Sequence, residues 1–162
     1  MKKVFLVMFI VIILLSCSRN ASAQQETLSI GDMLNSTSSL YGKKVPSGYY
    51  DGGAGSYYSV DSSDPEKLKD KPFIMVTTSG ELIDASYVMY LTESTIKVNS
   101  WLIEGMEYLE ANGWVFEPLY SLGGARLYSK SGMMAACATE DMGVSTLGMI
   151  TFTAMPTNIW GR

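Results

Sequence analysis

The sequence predicts an α+β fold, in which a mostly antiparallel sheet has one main amphipathic helix, over about 98–112, packed on one face. The first observation behind this prediction is that runs of β-forming residues, separated by turns that contain glycine, occur on both sides of the helix. The second is that the helix carries a single apolar stripe, which has to be buried against another layer of structure. The turns between the later strands are short, and short turns favour antiparallel neighbours.

The chain begins with the architecture of a secretory signal peptide. Lys2 and Lys3 form a positive first region, residues 4–15 form an unbroken apolar run, and Ala21-Ser22-Ala23 supplies the small residues that precede a cleavage site. The apolar run, about a dozen residues, is too short to cross a hydrocarbon core of about 30 Å as a permanent helix. We therefore expect residues 1–23 to be removed and the protein to be exported.

A second interpretation of the leader centres on Cys17. The segment Leu14-Leu15-Ser16-Cys17 resembles the bacterial lipobox, in which the cysteine is lipidated and becomes the mature N-terminus, so the leader would then be 1–16. Both interpretations place the protein in the bacterial periplasm or outer envelope. The only membrane contact that the sequence predicts is through a lipid anchor at Cys17.

The rest of the chain divides into a tether and one domain. Residues 24–40 are rich in Ser, Asn, Gln and Thr, a composition typical of a flexible tether, with one turn of helix around 30–34. Residues 41–162 are predicted to form a single α+β domain, because this length suffices for one hydrophobic core and is short for two.

The first part of the domain predicts a hairpin and a buried strand. Pairs of tyrosines flank the Gly-rich loop 51–55, an arrangement typical of a β-hairpin. Asp64-Pro65-Glu66 is a helix-start signal, and Pro72 ends that helix within about two turns. The apolar run 73–78 predicts a buried strand. The segment 82–91 is compatible with either a strand or a helix.

The main helix is the best-defined element of the sequence. Glu104, Glu107 and Glu110 lie largely opposite its apolar stripe, and Gly113 can adopt the left-handed conformation that ends a helix. The stripe consists of residues at three- and four-residue spacing: Val98, Trp101, Leu102, Gly105, Met106 and Leu109. Strands are predicted to follow at 114–116, 125–128, 133–139 and 146–154.

The absence of histidine restricts the chemistry. The sequence contains no histidine, which excludes a Ser-His-Asp triad, a Cys-His dyad and a zinc site with a histidine ligand. A general base at neutral pH would have to be a carboxylate, a lysine or a tyrosine with a strongly shifted pKa. Cys137 is the only cysteine beyond Cys17 and lies among small and apolar residues, so we expect a buried, unreactive thiol and no disulfide within the mature chain.

The charge of the chain argues against nucleic acid as a partner. The full sequence has a net charge of −4, and removal of the basic leader makes the mature chain more acidic. The acidic run 61–66 could suggest calcium, but a proline interrupts it and Asp64 is better used as a helix cap, so we expect a solvated loop. We predict no cofactor and no metal.

Five residues around the predicted hairpin are candidates for ligand binding. Exposed aromatic rings beside an acidic side chain could contact a glycan or a peptide. The alternative is that these tyrosines form the inward rows and cross-strand pairs of an ordinary hairpin. Alternation along a strand allows only one of each adjacent pair to face outward. The candidates are Tyr49, Tyr50, Asp51, Tyr57 and Tyr58.

Arg126 is a sixth candidate for ligand binding. It is the only arginine between Arg19 and Arg162, and a guanidinium is well suited to recognising a carboxylate. An ion pair with Glu117 on the adjacent strand is an equally suitable role for it.

Two classes of function are compatible with these residues. The favoured one is a non-catalytic, exported module of the cell envelope that binds a protein or a glycan, and that is tethered to the membrane if Cys17 is lipidated. The alternative is a small envelope hydrolase or lyase that acts on a polysaccharide by carboxylate and tyrosine chemistry. A pocket that holds two carboxylates about 5–10 Å apart would favour the enzyme.

Overall fold

The computed structural model describes residues 28–118 and 124–156. The predicted signal peptide and the lipidation site at Cys17 lie outside these residues. Within them, the chain forms three helices and eight strands. In chain order they are α1 (Ile30–Ser38), β1 (Tyr50–Gly53), β2 (Ser56–Tyr58), α2 (Pro65–Leu68), β3 (Phe73–Ser79), β4 (Leu82–Thr92), α3 (Thr95–Ala111), β5 (Val115–Phe116), β6 (Arg126–Lys130), β7 (Met133–Asp141) and β8 (Thr146–Ala154).

The described strands form one antiparallel sheet in the order β1-β2-β3-β4-β8-β7-β6-β5. The predicted combination of an antiparallel sheet with helices is therefore confirmed. The segment 82–91, which was compatible with two conformations, lies in strand β4. At the centre of the sheet β4 pairs with β8, so that Val88 lies opposite Ile150 and Met89 lies opposite Met149.

The order of elements repeats along the chain. Helix α1 precedes the strands β1 to β4, and helix α3 precedes the strands β5 to β8, with the short α2 inserted in the first half. Each half runs from one edge of the sheet towards the centre, where the last strands of the two halves pair. Helix α3 carries the chain from the centre to the far edge.

Helix α3 packs against the central strands β4, β8 and β7. It begins three residues earlier than predicted because Ser94 caps it, its side chain accepting a hydrogen bond from the Lys97 amide. Two glycines set how closely the helix approaches the sheet. A Cβ atom on Gly105 would lie 2.5 Å from Cδ1 of Ile150, and one on Gly148 would lie 2.8 Å from Cγ1 of Val98.

Helix α1 corrects the predicted tether. Its cap is Ser29, whose side chain accepts a hydrogen bond from the Asp32 amide at 3.2 Å, and the Ser86 hydroxyl of β4 donates to the Thr37 carbonyl at 2.9 Å. The packed part of the chain therefore begins at Ile30 rather than at Tyr41. Helix α1 packs against β4 and α3, and so covers the sheet beside the main helix. The buried residues of α1 are Ile30, Met33, Leu34 and Thr37.

The two faces of the sheet differ in what covers them. Side chains alternate between faces along a strand, and in β8 the buried residues Gly148, Ile150 and Phe152 face the helices. Leu147 and Met149 face the opposite side and are half-buried. The core cluster under the helices includes side chains from α1, α3 and one face of the sheet. We call the opposite side of the sheet the open face.

Candidate functional site

The structure divides the predicted tyrosine cluster between the two faces of the sheet. Tyr50 lies opposite Tyr58 and Asp51 lies opposite Tyr57 in the β1–β2 pair. Register with β3 places Tyr58 beside Met75 on the open face. Tyr50 is 50% exposed there. One tyrosine of each adjacent pair therefore reaches the open face.

The other two tyrosines of the hairpin belong to the helix side. Tyr49 and Tyr57 both pack against the core cluster, and burial raises the pKa of the Tyr49 phenol above its ordinary value. Asp51 is exposed, and its carboxylate accepts a hydrogen bond from the Gly53 amide at 2.8 Å. That hydrogen bond stabilises the hairpin turn. The five candidates consequently do not form one surface.

Arg126 lies far from the tyrosines. It sits on β6, opposite Cys137 of β7, and six strand spacings separate β6 from β1, which is roughly 29 Å. The Glu117 carboxylate accepts a hydrogen bond from the Ser129 hydroxyl at 2.5 Å. Arg126 belongs to neither of the two tyrosine groups.

A cavity of about 310 Å³ lies beside Arg126, between α3 and the strands β6 and β7. Leu102, Met106 and Cys137 contribute its apolar lining. Cys137 is 3% exposed, and burial raises the pKa of its thiol to about 12, although the charge of Arg126 acts in the opposite direction. The thiol is therefore protonated at neutral pH, which makes it a poor nucleophile.

A second cavity, of about 210 Å³, lies where α1, the end of α3 and the β6–β7 turn meet. Tyr108, Trp114 and Lys130 are among its lining residues. Neither of these two cavities contains a carboxylate. In the described part of the chain, no group of three or more Asp, Glu, Cys or His side chains could hold a metal ion.

Carboxylates of the described residues engage in local contacts instead. Tyr128 is fully buried, and its hydroxyl donates to Glu110 at 3.2 Å. Burial is the main cause that raises the pKa of Tyr128 to about 12, and the hydrogen bond to Glu110 adds to it. Asp61 accepts hydrogen bonds from the amide and the hydroxyl of Ser63 and lies 3.5 Å from the Lys67 ammonium. These contacts are structural.

The open face is a continuous feature that sequence reasoning missed. The core cluster under the helices contains none of its side chains, and most of them are half-buried. Register assigns to it an apolar set from six adjacent strands: Tyr58, Phe73, Met75, Tyr87, Met89, Leu91, Leu147, Met149, Met134, Ala136, Ala138 and Leu127.

Charged side chains lie at the margins of the open face, and one of them is Glu117 at the β5 edge, which accepts a hydrogen bond from Ser129. Asp84 lies at one end, where it accepts a hydrogen bond from the Thr77 hydroxyl at 2.6 Å. Glu140 lies at the other end, opposite Leu147. Between them, Met89 and Met149 face each other across the central strand pair. The middle of the face therefore offers apolar contact without a charge that would need a partner.

A signal for the open face is present in the sequence of the strands. An antiparallel strand with one solvated face normally alternates apolar and polar residues. The stretches 73–76 and 87–91 are instead apolar at nearly every position. Such continuous runs are typical of strands that are covered on both faces.

No helix in the described ranges is long and apolar enough to cross a membrane. The chain gives no significant match to known protein families, to curated proteins or to solved structures.

Proposed function

We propose that this protein is an exported, non-catalytic binding module of the bacterial envelope that holds a protein partner against its open face. The observation that carries the proposal is the apolar set on six adjacent strands, with its acidic side chains at the margins of the face. Contiguous apolar patches larger than a few hundred Å² are rare on monomeric proteins and mark interaction sites. The strand sequences support the same conclusion, since they are apolar on both faces.

The side chains favour a protein over a glycan. Four methionines lie on the open face, namely Met75, Met89, Met134 and Met149. Methionine adapts its shape to an apolar partner surface and is over-used where proteins bind proteins. A glycan needs fixed hydrogen-bonding groups beside its rings. Three tyrosines of the face, Tyr50, Tyr58 and Tyr87, combine an aromatic ring with a hydroxyl, and two of them lie at one edge.

The hydrolase or lyase alternative needs two carboxylates in one pocket. Neither cavity described above supplies a carboxylate. The acids of the open face are well separated, with Asp84 and Glu140 at its opposite ends and Glu117 at its β5 edge. The binding module is therefore the function that the geometry supports best.

Export and anchoring rest on the leader. Intact-mass measurement of the protein recovered from the envelope separates the two predicted forms. One form begins at Cys17 and carries acyl chains, and the other begins at Gln24 without modification. A cytosolic product that retains Met1 would contradict both forms and the compartment.

The binding surface is tested by single substitutions at its centre. Met89→Lys and Met149→Lys place a charge in the apolar middle of the face, and each residue is half-buried, so the fold can accommodate the change. We expect both variants to lose capture of envelope proteins, read by mass spectrometry after affinity purification from the same cells. Val144→Lys is the matched control, because Val144 is 86% exposed in the β7–β8 turn. Equal capture by all four proteins would remove the open face as the site.

A further inference from the structure

We propose that the partner on the open face is a second copy of this chain, so that two sheets pack face to face into a symmetric dimer. The inference rests on the proposed function, because it names the occupant of the same surface. A dimer of this kind uses the same patch on both subunits and needs no other gene product.

The geometry of the face suits a second sheet. Sheets that pack face to face lie about 10 Å apart and align to within about 30°, because both have the same right-handed twist. Their inner faces are filled by alternate, apolar side chains of each strand. Strands β2, β3, β4, β8, β7 and β6 present such side chains on the open face. A second copy supplies an identical set.

The area corresponds to a weak, reversible dimer. Six strands span five spacings of about 4.8 Å, and six residues of a strand extend about 20 Å, which gives at most roughly 480 Å² of flat surface on each copy. Two copies then bury on the order of 1,000 Å², which is the threshold for a specific interface and lies below the standard size of about 1,200–2,000 Å². Contacts outside these strands, for example at the half-exposed ring of Tyr50, add to that figure.

The charge distribution permits self-association of an acidic chain. The full chain carries a net charge of −4, and the chain without its basic leader is more acidic, so the surfaces of two copies repel each other. The acids on the open face lie at its margins: Asp84 and Glu140 at its two ends, and Glu117 at the β5 edge, where it accepts a hydrogen bond from Ser129. The centre, around Met89 and Met149, brings no charge against its own copy. Methionines are well suited to a position that meets its own counterpart, because their side chains are unbranched and adaptable.

The first test is the mass of the exported protein in solution. Sedimentation equilibrium over a range of micromolar concentrations should give a dimer, and the melting temperature should rise with protein concentration, as it does when association stabilises the folded state. Met89→Lys and Met149→Lys should each weaken self-association by about ten-fold or more, as central interface substitutions do. Val144→Lys and Ile103→Lys, at positions that are 86% and 52% exposed, should leave it unchanged. A dimer that all four variants retain would overturn the proposal.

A second measurement does not depend on how the lysine variants fold. Met149→Cys places a thiol at the centre of the face, whereas Cys137 is buried and unreactive. A short bismaleimide should link two Met149→Cys subunits, and it should not link two Val144→Cys subunits. A monomeric wild type with no cross-link at position 149 refutes the dimer. If such a monomer still captures envelope proteins through Met89 and Met149, the proposed function stands without it, and if it does not, both proposals fail.

Discussion

The close packing of α3 on the sheet predicts that an alanine at Gly105 destabilises the fold. Changing Gly105→Ala places a methyl group 2.5 Å from Cδ1 of Ile150 and 3.0 Å from Cδ1 of Ile30. Both distances are shorter than ordinary contact, and Ile150 is fully buried, so its side chain has little space in which to turn away. Overpacking of this kind costs about 1–3 kcal/mol. Replacement of a helical glycine by alanine returns about 1 kcal/mol, so we expect a net loss of about 1 kcal/mol.

The partner substitution removes the clashing atom. Ile150→Val deletes Cδ1 and by itself should cost about 0.5–1.5 kcal/mol, through lost burial and a small cavity. In the double variant the new alanine methyl occupies the space that Cδ1 leaves. The double variant should therefore be more stable than the two single effects predict when added, by about 1–2 kcal/mol of coupling energy.

The assay is urea denaturation followed by tryptophan fluorescence for all four proteins at one fixed concentration. The exposed substitution Ser100→Ala serves as the control, because Ser100 lies on the same helix away from the sheet. It should change the free energy of unfolding by less than about 0.5 kcal/mol. A stabilising Gly105→Ala, or a double variant whose effect equals the sum of the singles, would show that α3 does not lie as close to β8 as described.

Two further predictions concern the core. Trp101→Ala should lower the free energy of unfolding by about 3–5 kcal/mol, as loss of a buried aromatic does. The Trp101 ring lies 5.7 Å from that of Tyr90, and its indole N–H has no hydrogen-bond partner among the described residues. An unchanged denaturation midpoint would show that the Trp101 side chain lies in solvent. At alkaline pH the folded state holds protons on Tyr128 and Cys137, whose pKa values are raised to about 12, while the unfolded chain loses them near the ordinary pKa values of 10.0 and 9.0. The contribution of these two groups to stability should therefore be fully present below about pH 9 and be lost from there towards pH 12, with a smaller loss in Cys137→Ala. A stability that rises over this range would contradict the burial of both groups.

Helix α3 was predictable because its signals are local. The stripe that contains Trp101, Leu102 and Leu109 repeats over three turns, and Gly113 marks the end with a φ of 79°. Helix α1 was predicted only as one turn around 30–34, for the opposite reason. Its buried apolar residues Ile30, Met33 and Leu34 fill little more than one turn of an otherwise polar segment, and only the sheet and α3 show that these apolar residues have something to pack against.

The strand order could not be read from the sequence. The central pairing joins 85–92 to 146–153, residues that are some sixty positions apart, and no local pattern records such a pairing. That order decides which candidate residues meet. It separates Arg126 from the tyrosines of β2 and β1 by five and six strand spacings. Register alone decides that Tyr50 and Tyr58 reach the open face while Tyr57 does not.

The helices cover one face of the sheet and leave the apolar side chains of the other face without a packed layer. On the helix side, the contacts around Gly105 and Gly148 show that α3 already lies as close to the strands as side chains permit. The apolar runs 73–76 and 87–91 require cover on the other side as well. A half-buried methionine such as Met149 adds little to the stability of the sheet by itself. Burial of its side chain under a second layer adds about 25 cal/mol of stabilising free energy for each Å² of apolar surface removed from water. The strands therefore favour a second layer that the helices do not supply, and the partner that we propose on the open face would supply it.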